Sequence, residues 1–239
     1  ESWEGGIKST WMDGRILFNI VGYWYDWSNQ PTNNFVTLVL DDDGDGVPND
    51  NPNFRPVADS GSSKTYGFEI ESAFVLSEGW TTNVNVTYNE NEYKSFVPAT
   101  ASATTTLGQN VNIKGNRSTR FPKWSGNLST EYTQSWVGDW DYYVRGDVLY
   151  NGKHVAGLTN LAIIDDYFLV NARVGIEREN LRVEAFVKNV FDEDRWRAGS
   201  EFTDFSILDA PGVFDFTKIG VILIPQDKRT FGMRLSYGF

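Results

Sequence analysis

The chain has 239 residues, a formal net charge of −11, 15% aromatic residues and no cysteine. The charge excludes a nucleic-acid partner, which needs a basic surface, and the missing thiols exclude a disulfide framework and a thiolate metal site. The longest apolar run, Ile219 to Pro225, falls far short of the roughly 18 residues of a spanning helix, whereas alternating barrel strands average out to a polar hydropathy.

In chain order, period-two alternation predicts strands over Glu4–Trp11, Arg15–Trp27, Thr65–Leu76, Trp80–Asn91, Lys123–Thr133, Trp140–Asn151, Asp166–Ile176, Leu181–Phe191 and Arg229–Phe239. The last is the clearest. Phe231, Met233, Leu235, Tyr237 and Phe239 share one face, and Thr230, Gly232, Arg234, Ser236 and Gly238 share the other. In Leu181–Phe191 the charges Arg182, Glu184 and Lys188 have one parity, and Leu181, Val183, Ala185 and Val187 the opposite. In Thr65–Leu76, Tyr66, Phe68, Ile70 and Phe74 stand against Glu69 and Glu71.

The connections alternate between short and long. Tight turns are expected at Met12-Asp13-Gly14-Arg15, Ser77-Glu78-Gly79, Trp136-Val137-Gly138-Asp139 and Glu177-Arg178-Glu179-Asn180. Long loops are expected over roughly 28–63, 92–122, 152–165 and 192–227. A soluble sandwich has no reason to sort its loops this way, whereas outer-membrane barrels carry short periplasmic turns and long extracellular loops. Trp11, Trp80, Trp136, Trp140 and Tyr142 fall near the turns, and Trp24, Tyr88, Trp124 and Tyr150 near the loops, as two aromatic girdles would. Nine strands are an odd number, and single bacterial chains close their barrels with an even number. Glu1-Ser2-Trp3-Glu4-Gly5 has neither the basic start nor the apolar stretch of a signal peptide. Further strands are therefore expected before Glu1.

Several segments resemble TonB-dependent receptors. Trp3-Glu4-Gly5-Gly6-Ile7-Lys8-Ser9, Asp13-Gly14-Arg15 and Tyr23-Trp24-Tyr25-Asp26-Trp27 resemble the mid-barrel signature of that family. Ser63 through Glu71 resembles its Gly-x-Glu-x-Glu strand, and Lys188-Asn189-Val190-Phe191-Asp192 its Asn-Leu-Phe-Asp motif in the penultimate strand. Arg229 through Phe239 resembles the terminal strand, with Tyr237 and Phe239 as the signal read by the barrel-assembly machinery. The resemblance runs the length of the chain in order. It implies an all-β fold: an antiparallel transmembrane β-barrel of about 22 strands with a plug in its lumen, of which residues 1–239 supply about nine C-terminal strands. The plug domain and the TonB box are expected upstream.

Asp41-Asp42-Asp43-Gly44-Asp45-Gly46-Val47-Pro48-Asn49-Asp50 places oxygen ligands at alternate positions before a glycine. That is how a loop begins to turn around calcium, and it resembles the repeats of thrombospondin type 3 modules. Asp41, Asp43, Asp45, Asn49 and Asp50 are the candidate ligands. Pro52 stands where an EF-hand has its bidentate Glu, so the alternatives are a non-EF calcium loop and a solvated acidic tip. His154 is the single histidine, which precludes a multi-histidine metal site within the chain. It reads as a polar surface residue of a loop. Glu69 and Glu71 read as lumen-facing partners of plug or neighbouring-strand basic groups. In the last long loop, Arg195, Trp196, Arg197, Phe202 and Phe205 either line a ligand pocket at the barrel mouth or pack the loop on itself.

These features point to energised import of a scarce nutrient: a ferric siderophore, cobalamin or an oligosaccharide. The alternative is a passive porin or structural barrel. An enzyme is not expected, and neither is a required cofactor beyond calcium in the acidic loop. The expected partners are outer-membrane lipid and lipopolysaccharide, the TonB complex through the upstream region, the assembly machinery and the nutrient.

Overall fold

A computed structural model of the chain describes residues 1–39, 52–98, 107, 111–204, 206, 208–210, 213–214 and 218–238, with backbone alone for 31–39, 52–60, 203, 208–210 and 213–214. It is nearly all-β. Nine strands form one sheet: β1 (Ser2–Trp11), β2 (Ile16–Val39), β3 (Pro52–Ser77), β4 (Trp80–Ser95), β5 (Trp124–Val137), β6 (Trp140–Asn151), β9 (Tyr167–Arg178), β10 (Leu181–Lys188) and β15 (Thr230–Tyr237). The remaining strands make three small pairs in the loops: β7 (His154–Val155) with β8 (Ile163–Ile164), β11 (Trp196–Thr203) with β14 (Ile219–Pro225), and β12 (Leu208–Ala210) with β13 (Val213–Phe214).

The large sheet runs β1-β2-β3-β4-β5-β6-β9-β10-β15, so every neighbour is the next main strand and every pairing is antiparallel. It is open, with β1 and β15 at its edges. All nine strands expected from alternation are present as neighbours.

Register carries the two faces across the whole sheet. Ile20, Ile70, Val86 and Gly126 follow one another from strand to strand on one face, as do Val144, Val174, Ala185 and Met233. Phe231, Met233, Leu235 and Tyr237 all lie on this apolar face and are exposed, Met233 by 78%. The opposite face carries Asn19, Glu71, Asn85 and Asn127, then Arg145, Arg173 and Glu184. An apolar face with no protein over it and a polar face opposite is the pattern of a lipid-facing barrel wall and its lumen.

The tight turns gather at one end. Trp11 pairs with Ile16, Ser77 with Trp80, Val137 with Trp140 and Arg178 with Leu181. Gly79 at φ 71 and Gly138 at φ 59 supply the left-handed residue that such turns need. Aromatic contacts mark two levels. Near the turns, Trp80, Tyr132 and Tyr142 contact edge to face at 6.4 Å. Near the loops, Phe68, Tyr88 and Trp124 form a second group, and Tyr150 meets Phe168 at 4.6 Å.

The structure departs from the expected boundaries in three places. The 28–63 connection is mostly strand, since β2 and β3 stay paired from Gln30–Gly61 up to Val39–Pro52. Their 24 and 26 residues far exceed the roughly 9–11 that span a bilayer. Asn29 at φ 55 marks a bulge between Trp27 and Gln30, beyond which the ribbon continues. Second, the penultimate strand stops at Lys188, so the rest of the Lys188–Asp192 motif, from Asn189 on, is a turn and not a strand. Asn189 takes φ 52, and its amide donates to the Glu193 and Asp227 carbonyls while its Oδ1 accepts from Glu193 N–H. Such local bonding competes with a ladder and favours a turn. Third, the 152–165 and 192–227 loops carry strand pairs of their own.

Candidate functional site at the barrel mouth and lumen wall

The polar face of β5, β6, β9, β10 and β15 carries two ionic clusters. Arg145 donates to Asp147 at 3.0 Å and approaches Glu131 at 3.5 Å, while Arg173 lies 3.6 Å from Asp147. From the same strand, β6, the Tyr143 hydroxyl reaches past β9 to β10, donating to Glu184 at 2.8 Å and accepting from Arg182 Nε at 2.9 Å. The Arg182 guanidinium lies 3.9 Å from the centre of the Tyr143 ring. Arg182 also reaches Glu177, and Arg234 reaches Glu184 from the terminal strand. Glu184 and Tyr143 are buried, which the carboxylate tolerates because the Tyr143 hydroxyl and Arg234 donate to it and the Arg182 guanidinium pairs with it at 3.8 Å. Glu71 accepts from Asn19 on the neighbouring strand at 3.2 Å.

Above the loop-end aromatics, three connections lock together. Tyr93, Phe96 and Ile113 form a small buried core with Leu107 and Leu158 packed against it. Asn91, also buried, donates to Thr65 at 2.6 Å and accepts from Ser118 N–H at 3.0 Å. Asn160 clamps the next contact: its Oδ1 accepts from Arg117 N–H at 2.6 Å and its amide donates to the Arg117 carbonyl at 2.9 Å. Asn160 has φ 60, a conformation that asparagine adopts more readily than most residues. The β11–β14 hairpin joins through Glu201, which accepts from the Thr159 hydroxyl, and through Gly199 against Ala156 and Ile164.

His154 is a correction to the sequence reading. It is 4% exposed, in β7 beneath this lid, with Nδ1 near the Gly152 carbonyl at 3.3 Å. Burial holds its pKa below the ordinary value, a carbonyl contact opposes this in part, and Arg117 and Arg120 push the same way as burial. The imidazole is therefore neutral at pH 7.

The proposed pocket residues do not all converge. Arg195 bonds Glu193 at 3.0 Å and lines a polar groove of about 430 Å³ with Lys153, Asp165 and Asp166. Trp196 is exposed, and Arg197 is the extra residue of a bulge between Trp196 and Ala198. Phe202 is exposed farther along β11. Phe205, the acidic segment with Asp41, Asp43, Asp45, Asn49 and Asp50, and Phe239 lie outside the described residues. Tyr237 is exposed on the apolar face beside Leu181. Sequence reading missed Asn91, Asn160 and the Tyr143–Arg182–Glu184 triad. In the sequence Arg182 and Glu184 share one parity, but neither their meeting with Tyr143 nor the Asn positions carry a periodic signal.

Residues 1–190 match the family described as TonB dependent receptor-like, beta-barrel. The chain belongs to that family. The same architecture recurs in solved TonB-dependent siderophore receptors. The ferric yersiniabactin uptake receptor FyuA from Yersinia pestis matches with a TM-score of 0.67 and 14% identity over 100% of this chain and 30% of its own. The siderophore receptor PiuA from Acinetobacter baumannii matches at 0.63 and 14% identity over 99% and 28%. The pyoverdine outer membrane receptor FpvA from Pseudomonas aeruginosa, bound to pyoverdine, matches at 0.58 and 18% identity over 100% and 29%. At these identities the likeness is one of fold. This member of the TonB-dependent receptor family spans less than a third of the length of those receptors.

Proposed function

We propose that the chain is the C-terminal part of the barrel wall of an outer-membrane receptor that imports a ferric siderophore, or a comparably scarce and bulky nutrient, with energy from TonB. The observation that carries this reading is the nine-stranded sheet, with tight turns at one end and interlocked loops at the other, in a chain of this family. It is supported by the fold shared with siderophore receptors.

In this reading the upstream region supplies the remaining strands, the plug and the TonB contact. Unpaired backbone at the β1 and β15 edges costs several kcal/mol per group in hydrocarbon, roughly 2–7 by transfer data, so those edges pair with the missing strands. The ionic clusters then face the plug, the loop end faces outward toward lipopolysaccharide, and the terminal strand is read by the assembly machinery.

The test is iron-limited growth and radiolabelled ferric-chelate uptake by cells carrying the full-length receptor, with and without a functional TonB complex. Uptake that needs both the receptor and TonB is the expected result. Uptake that persists without TonB would make the protein a passive porin instead.

A further inference from the structure

The ribbon that β2 and β3 form beyond the sheet has two edges of different character. From Gln30–Gly61 to Val39–Pro52 the two strands share ten register pairs, and no third strand pairs with either over this stretch among the described residues. At about 3.3 Å per residue the ribbon rises ~30 Å beyond the bulge at Asn29. Rows alternate in an antiparallel ladder. In one row the N–H and C=O of both residues point at the partner strand, and in the next they point away. Proline has no N–H to give. The three prolines of the ribbon fall on the rows Pro31–Ser60, Phe35–Pro56 and Val39–Pro52, all of one parity. Those are the rows whose backbone groups point outward. The phase below the bulge agrees. Asp26 N–H donates to the Glu1 carbonyl, and the Glu1 amino group to the Asp26 carbonyl, each at 2.8 Å, so Asp26 faces β1. The extra residue between Trp27 and Gln30 then moves the outward positions to Pro31, Asn33, Phe35, Thr37 and Val39.

On β3 the outward positions are Ser60, Ala58, Pro56, Phe54 and Pro52, so two of five donors are missing. Prolines on an edge keep further strands from adding. The β2 edge lacks a donor at Pro31 alone. Asn33, Phe35, Thr37 and Val39 each keep an N–H and a carbonyl there, an unbroken run of the kind that an extended segment pairs with. Directly below, the β1–β2 ladder is intact up to Glu1. A chain entering β1 at Glu1 arrives at the foot of this open edge, antiparallel to β2.

We propose that the segment immediately preceding Glu1 runs along the β2 edge as a third strand, paired with Asn33–Val39, and that Pro52 and Pro56 keep the β3 edge closed to any partner. Continuing a formed ladder closes no new loop, so its entropic cost is that of ordering the added residues alone. A second copy at the same edge would also lose translational and rotational freedom. The inference rests on the upstream strands of the import reading, and not on the cargo or on TonB.

The measurement is residue-resolved amide hydrogen exchange on the purified full-length receptor. After correction for intrinsic rates, the N–H groups of Asn33, Phe35 and Thr37 exchange at least about tenfold more slowly than those of Ala58 and Phe54 on the other edge. Thr37→Pro removes a donor from the paired edge and speeds exchange at Asn33 and Phe35. Phe54→Pro, on the closed edge, leaves them unchanged. Cross-linking identifies the partner. The 239 residues contain no cysteine. Asn34 lies between the outward rows, where Cα atoms of an added antiparallel strand come within about 4.5 Å, inside the range of a disulfide. Asn34→Cys forms an intrachain disulfide with a cysteine scanned through the residues before Glu1. Equal exchange on the two edges overturns the proposal, and so does a disulfide that forms only between two copies. The exchange comparison uses wild-type protein, so it stands even if a variant fails to assemble. Slow exchange at the β2 edge in a receptor whose uptake ignores TonB would sink the import reading and leave the third strand. TonB-dependent uptake with equal exchange at both edges would do the reverse.

Discussion

Tyr143 on β6 lies directly against Gly175 on β9: the two are register partners, and a Cβ built on Gly175 would come within 2.4 Å of Tyr143 Cε1. The glycine is what lets the ring lie flat along the lumen wall and present its hydroxyl to Glu184. Gly175→Ala is expected to displace the ring and leave Glu184 short of a donor. The cost is about 1–3 kcal/mol, that of an unsatisfied buried polar group. Tyr143→Phe keeps the packing and loses the hydroxyl, so it should fall in the same range. Urea unfolding of the full-length receptor measures both. If Gly175→Ala matches wild type, the close approach has no energetic consequence.

The exposed apolar row makes a second prediction. Met233 is 78% exposed midway along β15 and continues the row Val144, Val174 and Ala185. Met233→Arg should destabilise the assembled receptor by about 2–4 kcal/mol, as for a cation placed on the lipid face. Ser236→Arg, on the lumen side, should cost much less. Heat-modifiable mobility of outer-membrane fractions reads the difference. Equal tolerance of the two changes would mean that this face does not meet lipid.

The loop lid depends on Asn160. Asn160→Ala removes both bonds to the Arg117 backbone and places an ordinary residue at φ 60, for an expected loss of about 1–3 kcal/mol local to the lid. Asn160→Gly relieves the backbone conformation and still loses the bonds, so it should lie between alanine and wild type. Amide hydrogen exchange over residues 111–123 should rise in the order wild type, glycine, alanine. Unchanged protection in Asn160→Ala would show that the small core around Tyr93 and Ile113 holds the lid unaided.

His154 gives the lid a pH dependence. Its folded pKa lies below the ordinary value of 6.5 because of burial, with Arg117 and Arg120 adding to the effect. The folded lid therefore binds fewer protons than the opened one. The stabilisation is fully present above pH 6.5 and is lost as pH falls from there toward the folded value. Trypsin cleavage after Lys114 or Arg117 in the intact receptor should accelerate between about pH 7 and about pH 5.5 by more than the enzyme's own pH profile accounts for. In His154→Asn that excess should vanish. The same excess in both proteins would assign the effect to another group.

The sequence by itself determined the nine strands, their lipid and lumen faces, their antiparallel order and the end at which the turns lie. Alternation is a local property of the chain: each side chain's face follows from its parity, and a tight turn forces its two strands to pair. The charges Arg182 and Glu184 were therefore legible as lumen-facing. Their convergence on Tyr143 was not, since that depends on register across three strands. The mouth was decided by tertiary structure alone. Asn160 meets Arg117 across 43 residues and Glu201 meets Thr159 across 42, and no periodicity encodes either contact. The same holds for His154, which local polarity assigns to the surface and the packed loops bury. Asn189 ended a strand that alternation would have carried on to Phe191, because its side chain found backbone partners as far away as Asp227. Loop positions are fixed by where the strands deliver them and by which distant groups can then satisfy one another, and that information exists only once the sheet has formed.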